Sequence, residues 1–173
     1  MSKPEIENGA VIRYDTNGYI NSIQQYSDGK LNGQTRFYQN GELIQSKEYK
    51  NNLLHGTVQS FKDGSLILLE HYQDGMKNGV TYIYKDLYPM MTREYKNDKK
   101  HGLEISYMQG CVMKVQRYIE DVLHGYYYQY YPTGTLLERG CFKDGMLDGE
   151  VVMFDKSMKI IKQLYYKAGV KMS

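Results

Sequence analysis

The chain has 173 residues, enough for one domain, and its 22 basic and 20 acidic residues give a net charge of +2. This balance provides no basic surface of the kind that binds nucleic acid. No apolar run approaches the length of a membrane span, and the opening MSKPEIENGAVIRYD lacks the apolar segment of a secretory signal, so we expect a cytoplasmic protein.

Seven glycines recur along the chain at a spacing of 23 or 24 residues, which indicates a repeat architecture. These repeat glycines are Gly9, Gly33, Gly56, Gly79, Gly102, Gly125 and Gly149. The residue before each of them is Asn, His or Asp, the residue types most enriched at positive φ outside glycine. The pattern therefore predicts a tight turn at each repeat glycine, with both central residues at positive φ.

Each repeat also predicts two β-strands. An aromatic residue lies five positions after the repeat glycine, and a turn, most often Asn-Gly or Asp-Gly, follows it. An Asn-Gly or Asp-Gly between alternating segments is the strongest short-range hairpin signal. The second strand begins near an apolar residue and closes on a second aromatic residue, in turn Tyr26, Tyr49, Tyr72, Tyr95, Tyr118, Phe142 and Tyr165. We expect the aromatic residues to form ladders across neighbouring strands.

No sustained helical pattern of apolar residues is present. The sequence thus predicts an all-β repeat protein of about seven consecutive antiparallel β-hairpins, forming one long, twisted and curved meander sheet. Residues 1–8 would be an N-terminal tail or cap, residues 9–168 the repeat domain and residues 169–173 a C-terminal tail.

Three histidines, His55, His101 and His124, stand directly before repeat glycines and raise the question of a metal site. Equivalent positions in adjacent hairpins lie roughly 10 Å apart, whereas zinc ligands lie about 2 Å from the metal. We therefore favour a structural role for these histidines, as alternatives to asparagine. The sequence also lacks nucleophile-elbow, phosphate-loop and C-x-x-C motifs, so we expect no catalytic residues, no metal, no cofactor and no enzymatic activity.

Several segments resemble the MORN repeat, and more closely the MORN variant of bacterial YwqK-type proteins. They are YQNGEL at 38–43, EYKNNLLHG at 48–56, FKDGSL at 61–66, HYQDGMKNG at 71–79, EYKNDKKHG at 94–102 and FKDGMLDG at 142–149. The resemblance runs from about Gly9 to Gly169, although the chain has no Trp, unlike standard MORN repeats. It implies a non-catalytic protein, because YwqK-type proteins are classed as antitoxins or immunity proteins and eukaryotic MORN proteins as scaffolds. Neither role has a residue motif to transfer.

The middle of the chain departs most from the repeat, with KDLYPMM at 85–91 and YYYQYYP at 126–132. Tyr-rich and Met-containing surfaces are favoured at protein interfaces. We predict a stripe of Tyr82, Ile105 and Tyr128, with Met91 on the same side. The full set of candidate partner-binding residues is Tyr82, Tyr88, Met91, Ile105, Tyr126, Tyr128 and Tyr131. The alternative is that these side chains only cover the sheet, as aromatic residues do in every repeat.

The favoured hypothesis is a bacterial antitoxin or immunity protein that neutralises a cognate toxin or effector by direct binding. The alternative is a scaffold that dimerises or docks on an acidic membrane surface, for which Lys96, Lys99, Lys100 and Lys114 are the best candidates. Both hypotheses require a binding surface and no chemistry.

Overall fold

The computed structural model describes residues 7–172, which form 18 β-strands and no helix. The predicted residues 1–6 of the N-terminal tail and Ser173 lie outside this range. The strands are β1(Gly9–Tyr14), β2(Ile20–Ser27), β3(Lys30–Gln39), β4(Glu42–Lys50), β5(Leu53–Lys62), β6(Ser65–Gln73), β7(Met76–Lys77), β8(Gly79–Lys85), β9(Tyr88–Lys96), β10(Lys99–Met108), β11(Cys111–Ile119), β12(Val122–Leu123), β13(Gly125–Tyr130), β14(Leu136–Lys143), β15(Met146–Leu147), β16(Gly149–Phe154), β17(Ile160–Lys167) and β18(Val170–Lys171).

The strands divide into two compact units, unit 1 up to Leu87 and unit 2 from Tyr88 onward. Unit 1 contains the hairpins β1–β2, β3–β4 and β5–β6, followed by β7 and β8, which both pair with β6. Unit 2 starts with β9 and contains the hairpins β10–β11, β13–β14 and β16–β17, with β18 paired to the end of β17. Every one of these pairings is antiparallel, so the all-β hairpin-repeat prediction is confirmed.

Tight turns lie at predicted Asn-Gly and Asp-Gly dipeptides, but not at the repeat glycines. Both residues have positive φ at dipeptides such as Asp28–Gly29, Asn40–Gly41 and Asn51–Asn52, as in type I′ hairpin turns. The repeat glycines also have positive φ, from 94° to 118°, but they lie within or at the start of strands. None of the residues before them has positive φ. The repeat glycine therefore bends a strand, and the prediction of a turn there was wrong.

Six of the seven repeat glycines pair with an aromatic residue near the end of the second strand, as in Gly33 with Tyr49 and Gly102 with Tyr118. The last repeat differs from the sequence expectation, because Gly149 pairs with Tyr166 and not with Tyr165. The loop between β16 and β17 has five residues, as in the first and sixth repeats, and in all three the partner of the glycine lies 17 residues later, which is Tyr166 in the last repeat.

The narrow core follows one column of the repeat. The side chain two positions after each repeat glycine is buried in six of the seven repeats, at Thr35, Val58, Thr81, Glu104, Tyr127 and Val151. Polar residues are common in this column, as expected when no second layer covers a sheet. Burial is therefore provided by neighbouring strands, which hold each hairpin against the next.

Candidate functional site

Cross-strand register defines one row of side chains through the middle of each unit. Residues directly opposite each other in neighbouring strands share a face of the sheet. The central row of unit 1 is Ile12, Ile23, Arg36, Ser46, Gln59, Leu69 and Tyr82. The central row of unit 2 is Thr92, Ile105, Val115, Tyr128, Arg139, Val152 and Gln163. The two rows occupy equivalent repeat positions, but three adjacent apolar residues, Ile105, Val115 and Tyr128, lie in the unit 2 row where the middle of the unit 1 row is polar.

In unit 2 the row forms part of a surface that we call the tyrosine patch, made of Leu103, Ile105, Val115, Tyr126 and Tyr128. Ile105 pairs with Val115, which pairs with Tyr128, so these three side chains adjoin on one face. Leu103 and Tyr126 lie two residues from Ile105 and Tyr128 on the same strands, hence on the same face. Leu103 is 39% exposed and Tyr126 is 64% exposed. The patch is therefore open to a partner.

The predicted residues Ile105, Tyr126 and Tyr128 are thus brought together on one face of unit 2. Tyr82 belongs to unit 1, where its ring stacks on Tyr84 at 6.3 Å and meets His71 edge-on at 6.5 Å. Tyr88 is 63% exposed at the start of β9. Tyr131 follows β13, and its hydroxyl donates a hydrogen bond to the carbonyl of Phe154 at 2.9 Å.

Met91 lies on the opposite face from the tyrosine patch, so its predicted side was wrong. It pairs with Ser106, whereas its neighbour Thr92 pairs with Ile105. The reason is the register between β9 and β10, which sets Thr92 opposite Ile105, so the side chain of the adjacent residue, Met91, points to the other face.

The opposite face of unit 2 carries a buried polar cluster that the sequence did not predict. The carboxylate of Glu104, a residue only 6% exposed, accepts hydrogen bonds from Arg93 Nε, from Gln116 Nε2 at 2.6 Å and from Lys100 Nζ at 3.4 Å. Burial alone would raise the pKa of Glu104, but the hydrogen bond and charge of Arg93, the hydrogen bond from Gln116 and the charge of Lys100 hold it below its ordinary value. The cluster provides hydrogen-bond donors and positive charge to a buried carboxylate and so stabilises the sheet.

Tyr127 is the largest residue of the core column, and its ring fills the space beside Gly140, the cross-strand neighbour that has no side chain. It pairs with Gly140, and a Cβ at that glycine would lie 2.6 Å from Cε1 of the tyrosine ring. The Tyr127 hydroxyl donates a hydrogen bond to Glu138 at 2.6 Å. Burial and the Glu138 carboxylate raise the pKa of Tyr127 above its ordinary value. This side chain is structural, while its neighbours Tyr126 and Tyr128 point to the patch.

The glycine-preceding histidines link consecutive repeats. His55 Nδ1 lies 3.2 Å from Asp74 Oδ1, and His124 Nδ1 lies 3.6 Å from Asp144 Oδ1. Each aspartate is the first residue of a tight Asp-Gly turn. At the equivalent positions Asn8 Oδ1 and Asp148 Oδ2 accept backbone N–H bonds from Asp28 and Ala168. The column therefore caps the type I′ turn found 19 or 20 residues later. The constant spacing of 19 or 20 residues between this column and a turn residue is the sequence signal that could have revealed these contacts.

The lysines proposed for a membrane surface do not form one free patch. Lys99 Nζ pairs with Glu120 at 2.8 Å, and Lys100 Nζ lies 4.4 Å from the ring centre of Tyr118 while it also contacts Glu104. Lys114 pairs with Ser106 and lies on the face opposite the tyrosine patch. Within residues 7–172 no helix is long and apolar enough to cross a bilayer.

Unit 1 contains shallow clefts at equivalent repeat positions. One of about 450 Å³ is lined by residues that include Gly33, Glu48, Tyr49 and His55. Another of about 330 Å³ lies beside Gly9, one repeat earlier. Both adjoin a repeat glycine. The described residues include no group of three or more His, Cys, Asp or Glu side chains placed to hold a metal ion.

The comparisons with known proteins agree with the hairpin repeat. The model of the MORN repeat variant family matches residues 34–51 and 123–144. The first segment covers most of β3 and β4 in unit 1, and the second covers β13 and β14, which carry Tyr126 and Tyr128. A search of curated proteins finds no match to the chain.

Proposed function

We propose that this chain, which carries MORN-variant repeats in both units, is a non-catalytic antitoxin or immunity protein that neutralises a cognate bacterial toxin by direct binding. A repeat-based binding role follows from the family match. The toxin-neutralising role rests on the resemblance to YwqK-type proteins. In this proposal the chain acts in the cytoplasm, binds a protein partner and needs no cofactor.

The observation that supports a protein partner is the tyrosine patch. It joins exposed Tyr and aliphatic side chains on one face, next to the arginines Arg117 and Arg139. Tyr and Arg are the residue types that most often dominate binding energy at protein interfaces. In the Gly33 and Gly56 repeats of unit 1 the equivalent positions carry the polar residues Gln34, Arg36, Ser46, Thr57 and Gln59, so the patch is not required by the hairpin fold.

The test compares two tagged forms of the full chain expressed in the native host. One is the wild type and the other carries Tyr126→Thr and Tyr128→Gln, the residues found at the equivalent positions Thr57 and Gln59 of unit 1. We expect one stoichiometric protein with the wild type and its loss with the variant. Expression of that protein alone should arrest growth, and co-expression of the wild-type chain should restore it.

Two results would contradict the proposal. A captured protein that is harmless when expressed alone would remove the toxin-neutralising role. A chain that appears only as a dimer, or that sediments with anionic vesicles and is released by salt, would support the scaffold alternative.

A further inference from the structure

The residue that lies eight positions before a repeat glycine has a recurring task. Gln25 Oε1 accepts the backbone N–H of Gln34 at 2.7 Å, and Glu48 Oε2 accepts the backbone N–H of Thr57 at 2.7 Å. Both acceptors lie over the repeat glycine that precedes the donor, where a Cβ would collide with them. The missing side chain of glycine therefore makes room for a side-chain oxygen that caps the next N–H group.

Arg117 lies eight positions before Gly125 in unit 2, and it cannot accept the N–H group of the residue after that glycine. Its guanidinium carries only donors, so it has no atom that could accept the N–H of Tyr126. Its Cδ lies 3.7 Å from the place that a Cβ of Gly125 would occupy. Arg117 is exposed, and within residues 7–172 its guanidinium has no hydrogen-bond or ion-pair partner. The Tyr126 N–H likewise receives no side-chain acceptor in the described part of the chain.

This site borders the tyrosine patch. Arg117 pairs across the strands with Leu103, and Tyr126 itself carries the N–H group. The Arg117 guanidinium and the Tyr126 N–H group, neither with a side-chain partner among residues 7–172, thus lie at the edge of the patch with the exposed side chains of Leu103 and Tyr126. In unit 1 the same place over Gly56 is filled by the carboxylate of Glu48.

We propose that an acidic side chain of a protein partner fills the place over Gly125 that Glu48 fills over Gly56. The incoming Asp or Glu carboxylate accepts the N–H of Tyr126 and pairs with the Arg117 guanidinium. Charge-assisted hydrogen bonds from arginine to carboxylate are stronger and more directional than neutral ones. Leu103 and Tyr126 exclude water around the pair. The inference rests on the proposed function, because it names the chemistry of the partner at the same patch.

The first experiment uses two synthetic peptides, identical except for a central Glu or Gln flanked by Leu and Tyr. Each is titrated into the full chain labelled with 15N, and the signals of Arg117 Nε–H and the Tyr126 backbone N–H are followed. We expect the Glu peptide to shift both signals and to bind about tenfold more tightly than the Gln peptide, the difference expected for one charge-assisted contact. Equal shifts with both peptides, or none at Arg117 with either, would overturn the proposal.

The variant Arg117→Glu sharpens the test, because glutamate is the residue that Glu48 and Glu94 already supply to this column. The new carboxylate should cap the Tyr126 N–H from within, so the variant should fold and the Glu peptide should no longer bind. Lys162→Glu is the matched control, since it makes the same charge change on the face opposite the patch. Equal loss of binding in both variants would indicate a general charge effect and contradict the proposal.

Two further outcomes separate this inference from the proposed function. If the Tyr126→Thr, Tyr128→Gln form loses its protein partner but Arg117→Glu keeps it, the patch binds a partner and the acidic contact is wrong. If inorganic phosphate or anionic vesicles shift the Arg117 signal more strongly than the Glu peptide, the site takes a different anion and the acidic-protein proposal fails.

Discussion

The central rows of the two units show how one backbone carries two different surfaces. At the third position after the repeat glycine, unit 1 has Gln59 where unit 2 has Tyr128, and Arg36 where unit 2 has Ile105. The hairpin register is the same in both places. The turns, the repeat glycines and the closing aromatic residues therefore build the sheet, and the central row is free to vary. Function is best sought where the row becomes apolar.

The largest effect is expected from the core beneath the patch. Gly140→Leu should lower the free energy of unfolding by about 3 kcal/mol, because the new side chain overlaps the ring of Tyr127. The measurement is urea unfolding followed by circular dichroism. Adding Tyr127→Val recreates the Val151–Leu164 pair of the last repeat, so the double variant should regain most of the loss. A double variant as unstable as the single one would show that the steric explanation is wrong.

The second effect concerns the buried polar cluster. Glu104→Gln should lower the free energy of unfolding by about 2 kcal/mol near neutral pH, because it leaves Arg93 without its buried carboxylate. The folded-state pKa of Glu104 is depressed, so its contribution is complete above the ordinary glutamate pKa of about 4.3 and is lost as pH falls through the folded pKa.

Urea unfolding of the wild type and Glu104→Gln at a series of pH values checks this sign. The stability difference between the two should be largest near neutral pH and should shrink in acid. A difference that stays constant through the acid range would contradict the assignment of a charged Glu104. Glu138→Gln serves as a control on the same face, since its carboxylate accepts from a neutral tyrosine.

The third effect separates stability from binding. The exchange of Tyr126 and Tyr128 for Thr and Gln should change the free energy of unfolding by no more than about 1 kcal/mol, because both replacements already stand at these repeat positions in unit 1. Partner binding should nevertheless be lost. Thr57→Tyr with Gln59→Tyr in unit 1 is the reciprocal control, and it should leave partner binding unchanged. Unfolding curves and the affinity for the captured partner give the two readouts.

The smallest effect is expected in the turn caps. His101→Asn should change the free energy of unfolding by less than about 0.5 kcal/mol, because Asn8, Asn32 and Asn78 occupy the same column. His101→Leu should cost more, since it removes the contact of 3.4 Å between Nδ1 and Glu120 Oε1. Thermal unfolding of both variants tests the order. A large loss with asparagine alone would show that the histidine has a task beyond the cap.

The repeat period made the all-β hairpin architecture predictable, because Gly33, Gly56 and their equivalents recur with aromatic partners at a fixed offset. The role of the residues before the glycines was not predictable from local preferences. Asn and His favour positive φ, but at His55 and His101 the side chain acts on a turn in the next repeat. Such a contact joins residues about 20 positions apart, so the local backbone preferences of single residues cannot predict it.

The candidate site was predictable in part. Counting along the strands placed Tyr126 and Tyr128 correctly on one face, since alternation alone decides this. Met91 was placed on the wrong side, because the relation between two strands depends on register, which the turn sets and which a single strand does not reveal. The lack of a side-chain acceptor for the Tyr126 N–H could be recognised only from the structure. There Glu48 and Gln25 accept the equivalent N–H groups of Thr57 and Gln34, whereas Arg117 cannot.

The turn caps also give the chain a direction. His55, His124 and Asp148 each hold a turn that comes later in the sequence, never an earlier one. During synthesis the amino-terminal part of a protein emerges first. Each new turn that leaves the ribosome therefore meets a cap that has already formed in the hairpin before it, and the sheet can grow one repeat at a time as the chain lengthens.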